Sequence, residues 1–358
     1  MKVMSVVGAR PNFIKLAPLS KEVRKKFDEV VAHTGQHYDY EMDRLFFEQL
    51  GLPDPDYHLG VGSGTHGHQT GEMLKKIEEV LISEKPDLAI VFGDTNSTLA
   101  GALAAVKLHI PVAHVEAGLR SYDKRMPEEI NRILTDHCSD LLFCPTERAV
   151  DNLKREGITE GVYLTGDVMV DAISQNIKIA EETSDILREL GIKPKDYFLA
   201  TVHRAENTDT FNRLKNIVDA FCEIENLIFP CHPRTEKFLR RYGLWDRLRK
   251  DVGIIKPVGY LDMLVLEKNA KKIITDSGGV QKEAYIFKVP CVTLRETTEW
   301  IETVEDGWNV LVGADKEKIL KAVREFEPNK DSYGHRFGDG RASEKIAVIV
   351  EGYLGGGP

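Results

Sequence analysis

Three carboxylic acids stand where a folded chain would bring them to a substrate. Asp94 directly follows the apolar segment LAIVFG, Glu116 ends the apolar segment PVAHVEA, and Glu128 lies in the first turn of a helix that begins at Pro127. Glu116 is the most informative, because an unpaired carboxylate at the end of a buried strand is costly in free energy and its pKa rises. Carboxyl groups in such places suit proton transfer to and from carbon.

Each acid also has a structural interpretation. Aspartate is a common helix N-cap, which would explain Asp94, and a glutamate in a first helical turn is stabilised by the helix dipole, which would explain Glu128 or Glu129. Arg132 stands four residues after Glu128, a spacing that allows an ion pair on one helix face. The sequence predicts a site with two or three carboxylates, and Asp123 to Arg125 are interpreted as surface.

Two histidines end apolar segments of the second half of the chain. His203 follows the segment ATV, and His232 occupies the equivalent place one strand later, in PCHPRT. A histidine at the end of a strand can act as a general acid or base, or simply hydrogen-bond a loop. His66 and His68 allow a metal site in principle, but no third ligand pattern accompanies them, so no metal is expected.

Two segments have the form of a phosphate-binding turn. In TDSGGVQKEA, a strand runs through glycines into a helix, whose backbone N–H groups favour an anion. Arg10 and Lys15 flank the first helix in GARPNFIKL and suit a diphosphate, while Glu283 suits ribose hydroxyls. The alternatives are a capped tight turn and two solvated cations. The predicted contacts in the turn are Ser277, Gly278 and Gly279.

Neither glycine turn has the spacing GxGxxG, and the P-loop pattern GxxxxGK[ST] occurs nowhere in the chain. A nicotinamide-binding Rossmann enzyme and a P-loop nucleotidase are therefore disfavoured. A site for a nucleotide sugar remains compatible with both turns.

Short apolar segments alternate with helical segments along the whole chain, which predicts a doubly wound α/β fold. A second series of strands starts at YFLATVH, after a long helical pattern over residues 168–188. We expect two Rossmann-like domains, residues 1–168 and 169–340, facing a central cleft. Ligands bind beyond the carboxyl ends of such strands, where nearly all of the ionisable candidates lie.

Composition excludes several other classes of protein. The chain has 358 residues and a formal net charge of −9, which argues against binding to nucleic acid. Its five cysteines form no CxxC pair, and its N-terminus has no signal-peptide pattern. No apolar run approaches the length of a membrane span. We therefore expect a cytoplasmic protein whose partner is a small molecule and which does not bind membranes.

The chain closely resembles the non-hydrolysing UDP-N-acetylglucosamine 2-epimerases over essentially its whole length. The resemblance rests on an ordered series of motifs: GARPNFIKLAPL, HTGQHYD, VFGDTNSTLA, HVEAGLRS, PEEINR, TVHRAEN, HPRT and TDSGGVQKEA. It implies a GT-B-type fold, in which residues 341–358 form a helix that packs back on the N-terminal domain. It also implies a homodimer that supplies surface polysaccharide biosynthesis.

The resemblance implies interconversion of UDP-N-acetylglucosamine and UDP-N-acetylmannosamine without nicotinamide or metal. UDP is eliminated to give 2-acetamidoglucal and is then added back. By motif match, the catalytic residues are Asp94, Glu116, Glu128, Arg132 and His203, and the UDP contacts are Arg10, Lys15, Ser277, Gly278, Gly279 and Glu283. Which carboxylate removes the C2 proton and which returns it stays open.

Bacterial members of the family also bind a second UDP-N-acetylglucosamine as an allosteric activator. The matching positions are Gln36, Arg204 and His232, with Glu128 shared. The match is incomplete, because Asp39 stands where the family has glutamine and His68 stands near an expected arginine.

A further departure keeps the substrate open. Trp300 stands in LRETTEWIE where the bacterial pattern has arginine. It either packs in the protein or changes a contact to the sugar or pyrophosphate. The alternatives are a 2-epimerase of UDP-2,3-diacetamido-uronic acid, a hydrolysing epimerase, a GT-B glycosyltransferase and a nucleotide-sugar binding module.

Overall fold

The structure is a computed structural model that describes residues 1–36 and 50–356, with the side chain of Arg10 left out. The chain divides into two units. Unit 1 comprises Met1–Gln175 and His335–Pro358, and unit 2 comprises Asn176–Gly334. The boundaries predicted from sequence fell at residues 168 and 340.

Unit 1 contains a parallel sheet, with seven strands in its described part, in the order β3-β2-β1-β4-β5-β6-β7. The strands are β1 (Lys2–Val7), β2 (Asp28–His33), β3 (Tyr57–His58), β4 (Leu88–Phe92), β5 (Val112–Val115), β6 (Leu141–Cys144) and β7 (Val162–Leu164). The two-residue β3 was not predicted. Apart from the last helix of the chain, the helices in the described part of unit 1 are α1 (Arg10–Val23), α2 (His66–Glu84), α3 (Asn96–Lys107), α4 (Pro127–Cys138), α5 (Glu147–Arg155) and α6 (Val168–Thr183). Helix α6 continues into unit 2.

Unit 2 contains a second parallel sheet, with six strands in its described part, in the order β10-β9-β8-β11-β12-β13. The strands are β8 (Phe198–Thr201), β9 (Leu227–Pro230), β10 (Gly253–Ile255), β11 (Lys272–Thr275), β12 (Cys291–Thr293) and β13 (Asn309–Leu311). Its helices are α7 (Ile186–Glu189), α8 (Ala205–Thr208), α9 (Phe211–Phe221), α10 (Pro233–Arg241), α11 (Trp245–Asp251), α12 (Tyr260–Asn269), α13 (Gly278–Ile286), α14 (Ile301–Glu305) and α15 (Lys316–Glu325).

The strands are almost wholly apolar because both faces of a parallel sheet are covered by helices. Every residue of β4 is fully buried, for example. Proline occupies the first turn of both α1 and α4, where its missing N–H costs no hydrogen bond. The predicted α/β class with two doubly wound parallel sheets is confirmed.

The last helix, α16 (Ala342–Leu354), belongs to unit 1. Its residues Ile346 and Val350 share a core with Phe13 and Leu16 of α1. The Asp171 carboxylate accepts bonds from the backbone N–H groups of residues 342 and 343 at 3.2 and 2.9 Å, which fixes where the helix begins. Across the described residues, no helix combines the length and the apolar character that crossing a bilayer requires.

Candidate active site

Asp94 stands between β4 and α3, after a turn at Gly93 that has a φ of +65°. The N-cap of α3 is Thr95, whose side chain accepts a bond from the Thr98 N–H at 3.4 Å. The interpretation of Asp94 as the helix cap is therefore wrong, and its carboxylate serves another purpose. The positive φ of Gly93 favours glycine, and a Cβ on Gly93 would also lie 2.8 Å from Lys15 Nζ.

Glu116 directly follows β5 and has a φ of +75°, in the left-handed region that non-glycine residues seldom adopt. Such a conformation costs about 1–3 kcal/mol and is concentrated at functional sites. The backbone is held there by the Phe143 carbonyl, which accepts bonds from the N–H groups of Glu116 and Ala117, each at 3.1 Å. The strain gives this acid a fixed direction.

Lys15 on α1 forms a buried ion pair with Glu116, and only 7% of each residue is exposed. The interpretation of Lys15 as a solvated surface cation is therefore wrong. Its predicted contact with a phosphate stays a prediction. The ion pair lowers the free-energy cost of burying Glu116, because the opposite charge of Lys15 compensates the carboxylate.

Arg132 on α4 is 2% exposed and links two acids. Its Nη1 pairs with Asp94, and its Nη2 lies 2.7 Å from a carboxylate oxygen of Glu129. Glu129 also accepts bonds from the N–H groups of Ser121 and Tyr122, each at 2.9 Å. Glu129 therefore holds the loop before α4, a role that the sequence analysis missed.

The electrostatics of Asp94 show which groups unit 1 brings together. Burial raises the pKa of Asp94 above its ordinary value, Arg132 and Lys15 oppose that rise, and Glu116 and Glu128 add to it. Glu128 is half-buried and close enough to act on Asp94. The three predicted acids, Asp94, Glu116 and Glu128, therefore lie close to the two cations Arg132 and Lys15 in unit 1. Since Asp94 keeps its proton to higher pH than an exposed aspartate, it suits a general acid.

In unit 2, Asp276 organises the turn that carries His203. The buried carboxylate accepts bonds from the backbone N–H groups of His203 and Arg204, each at 3.1 Å, and from Asn207 Nδ2 at 3.1 Å. The His203 ring is oriented by the same carboxylate, with Nδ1 3.3 Å from Oδ1. Burial lowers the pKa of His203, although Asp276 opposes this. Asp276 directly follows β11 in sequence, and that position could have identified it.

The turn at Ser277 has the predicted form. Ser277 caps α13, Gly278 is buried and Gly279 is exposed. A Cβ on Gly278 would lie 2.3 Å from an oxygen of Glu299, whereas a Cβ on Gly279 would meet only Ser277 Oγ, at 3.8 Å. A helix N-terminus with an open glycine beside it can accept an anion.

Glu283 on α13 lies beside the buried Glu267 of α12. Burial raises the pKa of Glu283 to about 7, although a bond with Glu267 and the charge of Lys282 oppose the rise. Burial together with Glu283 raises the pKa of Glu267 further. The pair therefore holds a proton near neutral pH. The predicted contact of Glu283 with a ribose stays a prediction.

Trp300 is 3% exposed, and the Lys282 ammonium lies 4.1 Å from the centre of its ring. Trp300 therefore packs inside unit 2 and makes a cation–π contact.

The predicted activator positions fall in both units. Gln36 belongs to unit 1, where its Oε1 accepts bonds from Ser97 Oγ at 2.7 Å and from Ser97 N at 3.2 Å. His232 belongs to unit 2, where it caps α10 and its ring centre lies 5.8 Å from that of His203. Arg204 Nη2 is 3.7 Å from Glu299. Of the two departures, His68 is exposed on α2 and Asp39 lies outside the described residues.

Arg10 is the first residue of α1, and its side chain also lies outside what the structure describes. Within residues 1–36 and 50–356, no three metal-binding side chains form a cluster.

The chain is similar to known enzymes of nucleotide sugars. A family model described as UDP-N-acetylglucosamine 2-epimerase matches residues 21–351. A UDP-N-acetylglucosamine 2-epimerase homolog of Methanococcus maripaludis is 60% identical, over 98% of this chain and 99% of its own. A UDP-2,3-diacetamido-2,3-dideoxy-D-glucuronate 2-epimerase of Pseudomonas aeruginosa is 49% identical, over 98% and 99%.

Among solved structures, the UDP-GlcNAc 2-epimerase of Methanocaldococcus jannaschii in complex with UDP-GlcNAc and UDP is similar to this chain. The two share 53% identity, with a TM-score of 0.92, over 98% of this chain and 99% of the other.

Proposed function

Because this chain belongs to the UDP-N-acetylglucosamine 2-epimerase family, whose members are isomerases, we propose that it interconverts UDP-N-acetylglucosamine and UDP-N-acetylmannosamine. The observation that carries the proposal is the meeting of Asp94, Glu116 and Glu128 with Arg132 in unit 1. Inversion at a carbon requires proton transfer on two faces, and a strained acid, an acid with a raised pKa and a third carboxylate can supply it.

The first half of the proposed reaction is an elimination. A carboxylate takes the proton from C2, the electron pair of that bond forms the C1=C2 double bond, and the C1–O bond breaks to release UDP. The products are 2-acetamidoglucal and UDP. The C2 hydrogen is not adjacent to a carbonyl, so it becomes acidic only as the departure of UDP builds positive charge at C1.

Stabilising the departing UDP therefore lowers the barrier. In the proposal, the N–H groups at Gly278 and Gly279, together with Arg10 and Lys15, contact the diphosphate, while Glu283 accepts bonds from the ribose. The open space at Gly279 and the start of α13 support these contacts. In the proposal, His203, whose pKa is lowered by burial, donates to a phosphate oxygen or transfers a proton.

In the second half, an acid returns a proton to C2 from the opposite face of the sugar, and UDP adds back to C1 with its original configuration. Proton transfer on two faces gives several carboxylates a reason to be present. Asp94 suits the donor because its pKa is raised, and Arg132 keeps Asp94 and Glu129 in place. The proposed chemistry requires neither nicotinamide nor metal.

We also propose that a second UDP-N-acetylglucosamine activates the enzyme through Gln36, Arg204 and His232, with Glu128 shared. Two of these lie next to groups already described, since His232 stands beside His203 and Arg204 beside Glu299. The cytoplasmic location, the homodimer and the role in polysaccharide supply belong to the same proposal.

A second candidate substrate is UDP-2,3-diacetamido-glucuronic acid. The 49% identity to an epimerase of that sugar favours it. The substitution at Trp300 does not by itself favour it, since the ring is buried against Lys282.

The test is to incubate the protein separately with each nucleotide sugar and to follow the anomeric protons by NMR. We expect UDP-N-acetylmannosamine from the first and no turnover of the second. Turnover of the uronic acid alone would replace the proposal with the second candidate. Free N-acetylmannosamine would indicate a hydrolysing epimerase, and UDP release that depends on an acceptor would indicate a glycosyltransferase.

A further inference from the structure

A buried histidine and a buried aspartate of unit 1 contact each other close to the acids. His114 on β5 is fully buried, and Asp136 on α4 is 1% exposed. His114 Nδ1 is 2.7 Å from Asp136 Oδ1, and His114 Nε2 is 2.7 Å from the carbonyl oxygen of Gly93. Neither residue is among the predicted catalytic or binding residues.

Both ring nitrogens of His114 therefore face oxygen acceptors. A carbonyl oxygen can only accept, so Nε2 carries a proton. Asp136 also accepts bonds from Arg120 Nη1 at 2.6 Å and from the Gly118 N–H at 3.2 Å. Both ring nitrogens of His114 and both carboxylate oxygens of Asp136 are therefore held by buried partners.

Arg120 extends the network around the pair. It shares its guanidinium between Asp136 and Glu156, with Nη2 2.6 Å from Glu156. Asp136 is therefore held by His114, by Arg120 and by the Gly118 N–H.

The pair contacts the two turns that aim the acids. The Gly93 carbonyl, which His114 holds, belongs to the residue directly before Asp94. The Gly118 N–H, which Asp136 holds, lies two residues after Glu116. Asp136 is also one helical turn beyond Arg132 on α4. One buried pair therefore ties together the backbone at Asp94, the backbone at Glu116 and the helix that carries Glu128.

We propose that His114, paired with Asp136, is a positioning residue that fixes Asp94 and Glu116 for proton transfer. Neither side chain needs to touch the sugar. The inference rests on the proposed function, since it assigns the pair a role in that reaction. Its structural half, the bond from His114 Nε2 to the Gly93 carbonyl, stands apart from activity.

The two ends of the ring can be tested separately. In His114→Gln, the amide nitrogen lies three bonds from Cβ, as Nε2 does, so the bond to Gly93 is kept and that to Asp136 is lost. In His114→Asn, the nitrogen lies two bonds from Cβ, as Nδ1 does, so the bond to Asp136 is kept and that to Gly93 is lost. Asp136→Asn removes the negative charge.

A matched control is Glu29→Gln. Glu29 is a buried carboxylate of the same unit, 6% exposed, that accepts bonds from Ser5 Oγ at 2.7 Å and Arg24 Nε at 2.8 Å. It lies near the start of β2, remote from the acids in the sheet order. The Glu29→Gln variant shows how much stability is lost when a buried carboxylate remote from the acids is removed.

We expect kcat to fall about 10²-fold in Asp136→Asn and in His114→Asn, because a misplacement of about 1 Å costs that much. The KM for UDP-N-acetylglucosamine and the Kd for UDP should stay within about threefold of the wild type, because the loss concerns the positioning of the acids and not ground-state binding. His114→Gln should keep more of kcat than His114→Asn, and Glu29→Gln should keep nearly all of it. A kcat loss in Asp136→Asn no larger than in Glu29→Gln, or equal losses in the two His114 variants, would overturn the positioning role.

The bond from His114 to Gly93 is read by NMR from the wild-type protein labelled with ¹⁵N in histidine. We expect the His114 signal, identified as the one that His114→Gln lacks, to show a proton on Nε2 that exchanges slowly with solvent, because Nε2 donates to the buried Gly93 carbonyl. A ring without a proton on Nε2 would overturn the inference. Failure of the wild type to epimerise would instead refute the proposed function and leave the NMR result to decide whether this bond is present.

Discussion

Glu116→Gln is the most informative substitution, because Glu116 has two separable roles. Its carboxylate is a proposed acid–base group, and its charge compensates the buried Lys15. Glutamine has nearly the same shape but neither the charge nor the basicity. Loss of a positioned acid or base lowers kcat by about 10²–10⁴-fold. UDP binding should be largely kept, since the predicted turn at Ser277 lies in unit 2.

The stability effect follows from the buried pair. Removing one partner leaves the Lys15 charge uncompensated, which costs about 3–5 kcal/mol in free energy of unfolding. For a unit of about 200 residues, each kcal/mol lowers Tm by about 2–4 °C, so we expect a decrease of about 6–20 °C. Lys15→Met should have a similar effect, because it leaves the Glu116 charge uncompensated.

The double variant separates the two roles. Lys15→Met with Glu116→Gln leaves neither charge buried, so its Tm should lie above that of either single variant, while kcat stays as low as in Glu116→Gln. Calorimetry and initial rates on the same samples measure both quantities. A Glu116→Gln protein with unchanged kcat, or a double variant whose losses in stability are simply additive, would refute the reasoning.

Other predictions follow from the same contacts. Asp94→Asn should abolish epimerisation with the Kd for UDP largely unchanged, as measured by initial rates and calorimetry; full activity would remove Asp94 from the site. The raised pKa of Glu283 means that the unfolded chain ionises this group first, so the wild type loses stability as pH rises from about 4.5 to about 7. Glu283→Gln should therefore gain stability relative to the wild type between pH 5 and pH 8, in denaturant titrations at both pH values, and a constant difference would contradict the shift. Gly278→Ala should lose about 1–3 kcal/mol because its Cβ would meet Glu299 at 2.3 Å, whereas Gly279→Ala, which faces open space, should change stability little. Equal effects of the two alanines on Tm would show that the contact at Glu299 is unimportant.

The strands and most helices could be predicted from sequence, because their signals are local. The alternation of apolar segments with helical segments predicted both sheets. The positions of Asp94, Glu116 and His203 just after strands were also predicted correctly. β3 escaped prediction because two residues carry no periodic pattern.

Partners across long sequence separations could not be predicted. The Lys15–Glu116 pair joins residues 101 positions apart, and nothing local to either side chain identifies the other. The competition for the N-cap of α3 was also undecidable from sequence, since Asp94 and Thr95 are both good caps and only the backbone geometry selects Thr95. The roles of His114 and Asp136 could not be predicted either, because the segments around them predict only a strand and a helix.

The central claim is that the C2 proton leaves and returns while UDP departs and is added back. Proton NMR of UDP-N-acetylglucosamine and the enzyme in D₂O tests it most directly. We predict that signals of UDP-N-acetylmannosamine grow in, that deuterium replaces the C2 proton of the product, and that the exchange is lost in Glu116→Gln. A product that retains its C2 proton, or the absence of UDP-N-acetylmannosamine with a folded and UDP-binding enzyme, would contradict the account.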